Sequence, residues 1–367
     1  MKRKCLEGIW IAALALLAIS QPVYAASFAY VVNSGSGAGG SKISAFRIDN
    51  ATGALTAISG SPFLAGGEVN GITLDRSEKF LYVTNENDGT VGAYSIDGKT
   101  GALSPVAGSP FASGSRPNCP RTGSSGKFLY VPNEDSSNIW VYRINQKTGA
   151  LIPISGSPFA AASSDSIAID RKGPFAYATD DAGTGHVLAY RIDTKTGALS
   201  PISGSPFLAG TETDSVVVDP QGRFVFAANF DDETVSIFAI DKKTGGLTAV
   251  AGSPFGSDGG TDEITIDRKG RFLYAANDGN LGPSGVGAFS IDPKTGALTD
   301  IAGTPFTAGD ETSGVTVNPA NDFLFAANET SNNVSVFSIN KKTGELTQVA
   351  GSPFPAGTEP VKIAIRK

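Results

Sequence analysis

Two groups of polar residues in this sequence are candidates for a functional site. The first lies in one segment and combines basic, amide, thiol and acidic side chains: Arg116, Asn118, Cys119, Arg121 and Glu134. The second consists of carboxylates spread along the C-terminal half: Glu212, Asp214, Asp262, Glu311 and Glu359. Ca²⁺ prefers oxygen ligands, so the second group predicts a calcium site if its members converge.

Several other chemistries are excluded by what the sequence lacks. His186 is its only histidine, which disfavours a Ser-His-Asp triad and rules out a histidine-rich zinc or iron site. There is no Walker loop and no dinucleotide-binding fingerprint, so we predict no required cofactor. We expect His186 to be an exposed loop residue. Cys119 has no histidine nearby in the sequence, and we expect it to be an inert buried thiol.

An internal repeat predicts the architecture that positions these residues. The phrase Gly-Ser-Pro-Phe, once Gly-Thr-Pro-Phe, recurs seven times, with glycines at Gly60, Gly108, Gly156, Gly204, Gly252, Gly303 and Gly351. A Thr-Gly dipeptide keeps the same interval. Self-similarity at a period of about 20–50 residues is typical of solenoids, propellers and repeat arrays. Seven copies of one unit therefore predict a single domain over residues 26–367.

Each copy contains four short runs rich in β-branched and aromatic residues, bounded by turn signals. In the second copy these runs are Gly71–Asp75, Phe80–Asn85, Val91–Ile96 and Ala102–Ala107. The sequence therefore predicts an all-β fold, a seven-bladed β-propeller of four-stranded antiparallel blades. The Asp-Lys-Lys-Thr-Gly runs are interpreted as hairpin turns, in which the aspartate caps the turn and the glycine adopts a positive φ.

The two ends of the chain predict how the ring closes. The first copy opens at its second strand, Phe28–Asn33, and the missing first strand recurs at the other terminus as Val361–Ile365. An open ring would leave two unpaired strand edges, which invite aggregation. We therefore expect the C-terminal strand to pair with the N-terminal blade.

The N-terminal residues predict export. Three basic residues at positions 2–4 precede an apolar run at Ile9–Ile19, and small residues lead up to Ala25. We interpret residues 1–25 as a cleaved signal peptide, too short to span a membrane, and expect a periplasmic or secreted protein. The formal net charge of −6 argues against nucleic acid as a partner. We expect a monomer. We also expect no internal disulfide, because Cys119 is the only cysteine after the signal peptide.

In a propeller, the loops from fourth to first strand and from second to third strand share one face, here called the top face. These loops carry many more acidic than basic residues, whereas the opposite, lower face is mildly basic. Two interpretations stay open. The carboxylates either keep the surface solvated or converge into a calcium site at the mouth of the central channel. The top face is in both cases where we expect a small molecule or a protein partner to bind.

The third copy departs from the pattern of the others. Elsewhere two apolar residues alternate along the first strand, such as Ile72 and Leu74, but here Pro120 and Thr122 occupy these places with Arg121 between them. A proline and a buried arginine weaken a strand. Because local rules are most often broken at functional or strained sites, the departure marks either a functional site or drift in one of seven redundant blades.

The residues also carry a family resemblance. The runs Tyr82–Asn85 and Tyr130–Asn133 resemble the YVTN repeat, and residues 26–367 as a whole resemble the seven-bladed lactonase family, which includes 6-phosphogluconolactonase-like proteins. Lactonases of this family resemble one another at a Pro-Arg-His signature followed by Asn-Glu. Here Pro117 matches the proline, Asn118 and Cys119 stand at the arginine and histidine positions, and Asn133 and Glu134 match the Asn-Glu pair.

The resemblance implies hydrolysis of a lactone ring. In that reaction Glu134 would activate water, and Arg121 or Arg116 would stabilise the oxyanion. The substituted signature favours an alternative, a non-catalytic envelope or extracellular propeller whose top face binds a partner, a sugar or a cation. An acidic channel mouth repels dianions, which argues against a phosphorylated lactone under either interpretation.

Overall fold

The computed structural model describes residues 26–35 and 40–367, and these form a ring of seven β-sheets. The predicted all-β, seven-bladed propeller is therefore confirmed. The predicted signal peptide, residues 1–25, lies outside the described residues. Neither described range contains a helix, so no helix there is long and apolar enough to cross a membrane.

The strands follow one another blade by blade. Blades 1 and 2 contain β1 (Ser27–Asn33), β2 (Lys42–Ile48), β3 (Leu55–Ala57), β4 (Phe63–Leu64), β5 (Val69–Leu74), β6 (Phe80–Asn85), β7 (Thr90–Ile96), β8 (Leu103–Pro105) and β9 (Phe111–Ala112). Blades 3 and 4 contain β10 (Arg121–Thr122), β11 (Phe128–Asn133), β12 (Asn138–Ile144), β13 (Leu151–Pro153), β14 (Phe159–Ala160), β15 (Ile167–Ile169), β16 (Phe175–Asp180), β17 (His186–Ile192), β18 (Leu199–Pro201) and β19 (Phe207–Leu208).

The remaining blades repeat this plan. Blade 5 contains β20 (Thr213–Val218), β21 (Phe224–Asn229), β22 (Thr234–Ile240), β23 (Leu247–Ala249) and β24 (Phe255–Gly256), and blade 6 contains β25 (Thr261–Ile266), β26 (Phe272–Asn277), β27 (Gly285–Ile291) and β28 (Leu298–Asp300). Blade 7 contains β29 (Thr312–Val317), β30 (Phe323–Asn328), β31 (Asn333–Ile339), β32 (Leu346–Gln348) and β33 (Phe354–Pro355), and β34 (Pro360–Arg366) returns to blade 1.

Six blades carry a fifth short strand that was not predicted. In blade 2, β9 pairs with the upper half of β7, with Phe111 opposite Val91. The Ser-Pro-Phe phrase makes this fold-back possible, because the Ala93 N–H donates a hydrogen bond of 2.9 Å to Ser109 Oγ. The predicted fourth strand is therefore shorter, at Leu103–Pro105, and two short strands share the outer edge of β7.

The ring closes as predicted. The C-terminal β34 pairs antiparallel with β1, from Phe28 opposite Arg366 to Asn33 opposite Pro360, and supplies the inner strand of blade 1. The hydrophobic core lies between the blades, where the sheet faces of neighbours meet. Between blades 2 and 3, for example, Tyr82 and Val91 pack in one cluster with Val131.

The YVTN-type repeat holds neighbouring blades together. The buried Tyr82 hydroxyl donates a hydrogen bond of 2.9 Å to the carbonyl of Gly149, in the Thr-Gly turn of the next blade. That turn requires glycine: at the equivalent Gly101, φ is 77° and a Cβ would lie 2.4 Å from Phe28 Cδ1. The motif that carries the family resemblance is thus a structural one.

β-Bulges in the inner strands position the residues of the channel. In β20 and β25 one extra residue, Asp214 and Asp262, has no partner on the neighbouring strand. The inner strands β5, β29 and β34 have the same irregularity. A bulge re-aims a side chain, and pairing resumes beyond it with Val69 opposite Asn85, so β5 begins at Val69 rather than at the predicted Gly71.

The inner strand of blade 3 is reduced to Arg121–Thr122. Pro120 has no N–H to donate, and the chain before it forms only isolated bridges, Pro117 with Asn133 and Cys119 with Ser166 of blade 4. The predicted departure of the third copy is therefore a real break in its strand.

Candidate functional site

A cavity of about 250 Å³ opens at the top of the central channel. One repeat position of every inner strand lines it: Asn70, Asn118, Asp165, Asp214, Asp262, Ser313 and Val361. The next position contributes Cys119 and Lys362, and Ser34, Glu68, Glu86 and Glu329 complete the lining. The cavity is thus built by the repeat, with carboxylates from blades 4, 5 and 6 concentrated on one side.

Two predicted site residues meet at Asp165. Asn118 Nδ2 donates a hydrogen bond of 2.8 Å to Asp165 Oδ1, and the carboxyl groups of Asp165 and Glu134 hydrogen-bond each other. Two carboxyl groups this close cannot both ionise easily, so the pair retains one proton to higher pH than an isolated carboxyl group. A base and an acid therefore lie side by side at the cavity.

Burial and the neighbouring charge of Asp165 raise the pKa of Glu134 to about 8. Burial, followed by the charge of Asp181, also raises the pKa of Asp165, whereas the hydrogen bonds from Glu134 and Asn118 favour its ionised form. Arg116 opposes the shift at Glu134 but does not cancel it. We therefore assign the shared proton to Glu134 and the negative charge to Asp165.

Arg116 lies at the rim and is engaged by three carboxylates. Its guanidinium is 2.7 Å from Glu86 Oε1, 2.5 Å from Glu134 Oε1 and 3.6 Å from Asp135 Oδ1. Its charge is divided among these partners, and Arg116 is not among the residues that line the cavity. Its position suits it to hold Glu134 in place.

Lys362 is the cation inside the cavity. Its side chain is only 11% exposed, and Nζ donates a hydrogen bond of 2.7 Å to the Ser313 carbonyl and lies 3.8 Å from Glu263 Oε2. Burial acts to lower the pKa of Lys362, but Glu263 and Asp262 outweigh it and the net shift is upward. Lys362 therefore stays charged beside the carboxylates.

Arg121 lies one layer below the cavity. We expected a buried arginine, but its side chain is 32% exposed, and Nη2 lies 3.7 Å from Glu263 Oε1. This expectation was wrong because the broken strand lets the side chain reach across the open channel to Glu263. Cys119 is buried, as predicted, and burial raises the pKa of its thiol.

The five carboxylates predicted to bind calcium do not share one position. Asp214 and Asp262 line the cavity, where burial raises their pKa values to about 9 and about 8. Glu212 interacts with Asp231 on the top face, outside the cavity lining. Glu311 and Glu359 also lie outside the lining and interact electrostatically with Glu329.

Among the described residues, a different group of carboxylates lies within reach of one ion. Oxygens of Glu134, Asp165 and Asp181 all lie within 4.8 Å of one another. This spacing suits ligands of a single Ca²⁺, whose oxygen distances are about 2.3–2.6 Å. Calcium binding stays a prediction, and these three residues are its best candidate ligands.

His186 is not the exposed loop residue that we expected. It begins β17 opposite Asp180, its side chain is partly buried, and Nδ1 lies 3.3 Å from Asp180 Oδ2. That expectation was wrong because β17 begins at His186, which is therefore a strand residue rather than a loop residue.

Sequence reasoning missed Asp165 and Lys362 as members of the site. Both occupy inner-strand positions equivalent to those of Asn118 and Cys119 in blade 3. Aligning all seven copies at that position, rather than searching for a family signature in one copy, is the signal that would have found them.

A seven-bladed propeller with a polar cavity at one channel mouth defines a class of ring-shaped enzymes and binding proteins. The family described as lactonase, 7-bladed beta-propeller matches residues 23–119, 158–253 and 248–364, which together exceed half of the chain. The chain therefore belongs to the seven-bladed β-propeller lactonase family.

Solved structures support the same fold. A Bacteroides uniformis protein described provisionally as a 6-phosphogluconolactonase has 19% identity and a TM-score of 0.80, covering 93% of this chain and 99% of that one. A similarly described Bacteroides fragilis protein has 21% identity and a TM-score of 0.80, with coverage of 95% and 99%. The periplasmic gluconolactonase PpgL of Pseudomonas aeruginosa has 19% identity and a TM-score of 0.76, with coverage of 93% and 99%. No curated protein sequence matches the chain.

Proposed function

We propose that the protein hydrolyses the lactone ring of an uncharged sugar-type lactone. Family membership and the lactonase descriptions of its structural neighbours support this reaction class. The observation that carries the proposal is the hydrogen-bonded Glu134–Asp165 carboxyl pair beside a cavity that also contains the charged Lys362. Base, acid and oxyanion-stabilising cation are the three groups that acyl transfer to water needs.

In the proposed reaction, ionised Asp165 takes a proton from a water molecule as the water oxygen attacks the lactone carbonyl carbon. Lys362 Nζ stabilises the negative charge that develops on the carbonyl oxygen. The tetrahedral intermediate collapses by breaking the bond between the acyl carbon and the ring oxygen. Glu134 lies behind Asp165, outside the cavity lining, so the proton reaches that ring oxygen through Asp165, which is reprotonated by Glu134. The ring oxygen becomes the hydroxyl group of the product hydroxy acid, and the carboxyl pair again holds one proton.

This assignment revises the roles that the family resemblance implied. Glu134 becomes the acid rather than the base, because Asp165 lies in the cavity lining and accepts the Asn118 amide hydrogen bond. Lys362 replaces Arg121 and Arg116 as the oxyanion-stabilising group, because Lys362 lines the cavity, whereas Arg116 is engaged by three carboxylates at the rim and Arg121 by Glu263 in the layer below.

An uncharged substrate suits the electrostatics of the cavity. Asp214 and Asp262, with pKa values of about 9 and about 8, are mostly protonated at neutral pH and can both donate and accept hydrogen bonds to sugar hydroxyls. A phosphate dianion would have to approach past Glu68 and Glu86 at the cavity, and we expect it to be rejected.

The decisive experiment is hydrolysis of a lactone panel by purified protein, with gluconolactone and 6-phosphogluconolactone as the key pair. We expect turnover of the uncharged lactone and a fall in kcat of about 10²–10⁴-fold in Asp165→Asn. Asp214→Asn makes the same chemical change at the equivalent position of the next blade, where the side chain is proposed to contact the substrate but not to act as base, so it should raise KM more than it lowers kcat. Equal losses in both variants, or no turnover of any lactone by the wild type, would contradict the proposal.

A second candidate function is ligand binding without catalysis. The observation that favours it is the replacement of the family's arginine and histidine by Asn118 and Cys119. In this case gluconolactone or a neutral sugar would bind in calorimetry, Asp165→Asn would weaken binding, and no lactone would be hydrolysed.

We propose that the protein is exported before it acts, because basic residues at positions 2–4 precede an apolar run in the N-terminal sequence. A periplasmic structural neighbour is compatible with this location. Mass spectrometry of protein from the periplasm or medium should give a mature chain that begins at Ala26. Retention of residues 1–25 on cytoplasmic protein would contradict export.

A further inference from the structure

The structure assigns a second binding site to this protein, at the lower mouth of the channel. We propose that Arg76, Arg171 and Arg268 together bind a small oxyanion that carries two or more negative charges, of the phosphate or pyrophosphate type. This site lies at the opposite end of the channel from the cavity.

The three arginines occupy one repeat position. Each is the second residue after an inner strand, in blades 2, 4 and 6: Arg76 follows β5, Arg171 follows β15 and Arg268 follows β25. Blade 1 places Lys367 there, and blades 3, 5 and 7 place small or rigid uncharged residues there: Ser124, Pro220 and Pro319. Because the inner strands surround the channel, the three cations face one opening from alternating directions.

These three guanidinium groups have no counter-ion within the described ranges. None forms an ion pair or a side-chain hydrogen bond there, although all three residues are exposed to solvent. Partial removal from bulk water lowers the pKa of Arg171, and the charges of Arg76, Arg268 and Arg121 lower it further. A group of cations without a counter-ion favours binding of a multivalent anion, because the anion would reduce the repulsion between them.

The aspartates beside the arginines do not serve as partners. Asp75 and Asp267 are buried and accept hydrogen bonds from backbone N–H groups of their own turns. The arginines instead rest on neighbouring turns. The Arg76 stem lies against Gly126 of blade 3, where an added Cβ would be 3.1 Å from Arg76 Cβ. The backbone N–H of Arg268 donates a hydrogen bond of 3.1 Å to Asn321 Oδ1.

The lower site is separate from the cavity. Along β25 the chain runs from Asp262 in the cavity, through Glu263, to Arg268 at the lower mouth, roughly 20 Å at the rise of an extended strand. Glu263 pairs with Lys362 and Arg121 in the layer between the two ends. An anion at the lower mouth therefore has no direct contact with Asp165 or Glu134, and binding can be tested apart from hydrolysis.

The test is calorimetric titration of the mature protein, residues 26–367, with inorganic phosphate and with pyrophosphate. The wild type is compared with Arg171→Gln and with a matched control, Lys242→Gln. Lys242 is an exposed cation of the lower face in an outer hairpin turn, away from the channel. We expect the dissociation constant of pyrophosphate to rise by at least about 10-fold in Arg171→Gln, the loss of one hydrogen-bonded charge contact. Lys242→Gln should change it by less than about 2-fold.

Two further readouts complete the test. Pyrophosphate should raise the melting temperature of the wild type, because it binds only the folded ring, and should raise that of Arg171→Gln less. Turnover of the cavity substrate should be unchanged in Arg171→Gln. No binding of either anion at millimolar concentration, or equal weakening in Arg171→Gln and Lys242→Gln, would overturn the proposal and leave only a diffusely basic face.

Discussion

The inner strand of blade 3 and the inner strand that closes blade 1 occupy equivalent places in the ring but are built in opposite ways. β34 pairs along its whole length with β1, whereas β10 retains two residues. Because β10 is short, Asn118 lies outside it and donates a hydrogen bond to Asp165. Arg121, within β10, pairs with Glu263 of blade 6. The long strand thus closes the ring and also carries Lys362 into the cavity, whereas the broken strand places its polar groups against carboxylates of other blades.

Removing the regular strand should have the largest effect. Deleting residues 360–367 takes Val361, Ile363 and Ile365 out of the core and leaves β1 with an unpaired edge. Three buried aliphatic side chains at about 1.5–3 kcal/mol each predict a loss of about 5–9 kcal/mol in the free energy of unfolding, or aggregation. Denaturant unfolding measures it, and a variant lacking only Lys367 is the control. A shortened protein as stable as its parent would refute closure by β34.

The second prediction concerns the pH dependence of activity. Glu134 is the proposed acid, and its pKa is raised to about 8, so it is protonated below that pH and ionised above it. We expect kcat to fall as the pH rises through about 8, after subtraction of spontaneous lactone hydrolysis. Glu134→Gln cannot donate this proton and should lose about 10²–10⁴-fold in kcat together with the alkaline decline. A decline that persists unchanged in Glu134→Gln would assign it to another group.

Converting blade 3 to the regular pattern tests the comparison directly. Pro120→Ile, Arg121→Thr and Thr122→Leu together recreate the inner strand of blade 2. We expect stability to change by no more than about 1 kcal/mol, because the lost ion pair is long, at 3.7 Å, and its arginine is about one-third exposed. Activity should fall about 10-fold as Asn118 moves from Asp165. If activity is unchanged while the melting temperature holds, the irregular strand is a drifted repeat.

The smallest expected effect is weak binding of Ca²⁺ to the carboxylate cluster. Binding to Glu134, Asp165 and Asp181 must displace the proton that the first two share, so affinity should increase from pH 7 to pH 9. We expect dissociation constants of about 10⁻⁴–10⁻³ M, typical of weak extracellular sites. Calorimetry at both pH values, with Asp181→Asn as the comparison, measures this. Equal heats of Ca²⁺ binding in the wild type and in Asp181→Asn would exclude this cluster as the calcium site.

The sequence predicted the fold in detail where the repeat was regular. The strand Phe80–Asn85 was predicted to the residue. The pattern of copies alone also predicted that a C-terminal strand supplies the inner strand of the N-terminal blade. The fifth strands were missed because Ser-Pro-Phe is too short to signal a strand. Their pairing depends on a serine hydroxyl that caps the neighbouring strand.

The site was predicted only in part, because it is assembled across blades. Asn118 and Glu134 were recognised from the third copy, but Asp165 joins them from blade 4 and Lys362 from the last strand. No local pattern reports which side chains a β-bulge turns toward the channel. The five predicted calcium ligands were grouped by charge and face, but only Asp214 and Asp262 line the cavity.

Closure by β34 also has a consequence for the order of events during synthesis. Blade 1 begins at Ser27, yet its inner strand, β34, follows every other strand of the ring in the chain. Until residues 360–366 have emerged, β1 has no inner neighbour, and the strand pair with the greatest sequence separation in the ring cannot form. The ring can therefore close only after its C-terminal strand has left the ribosome.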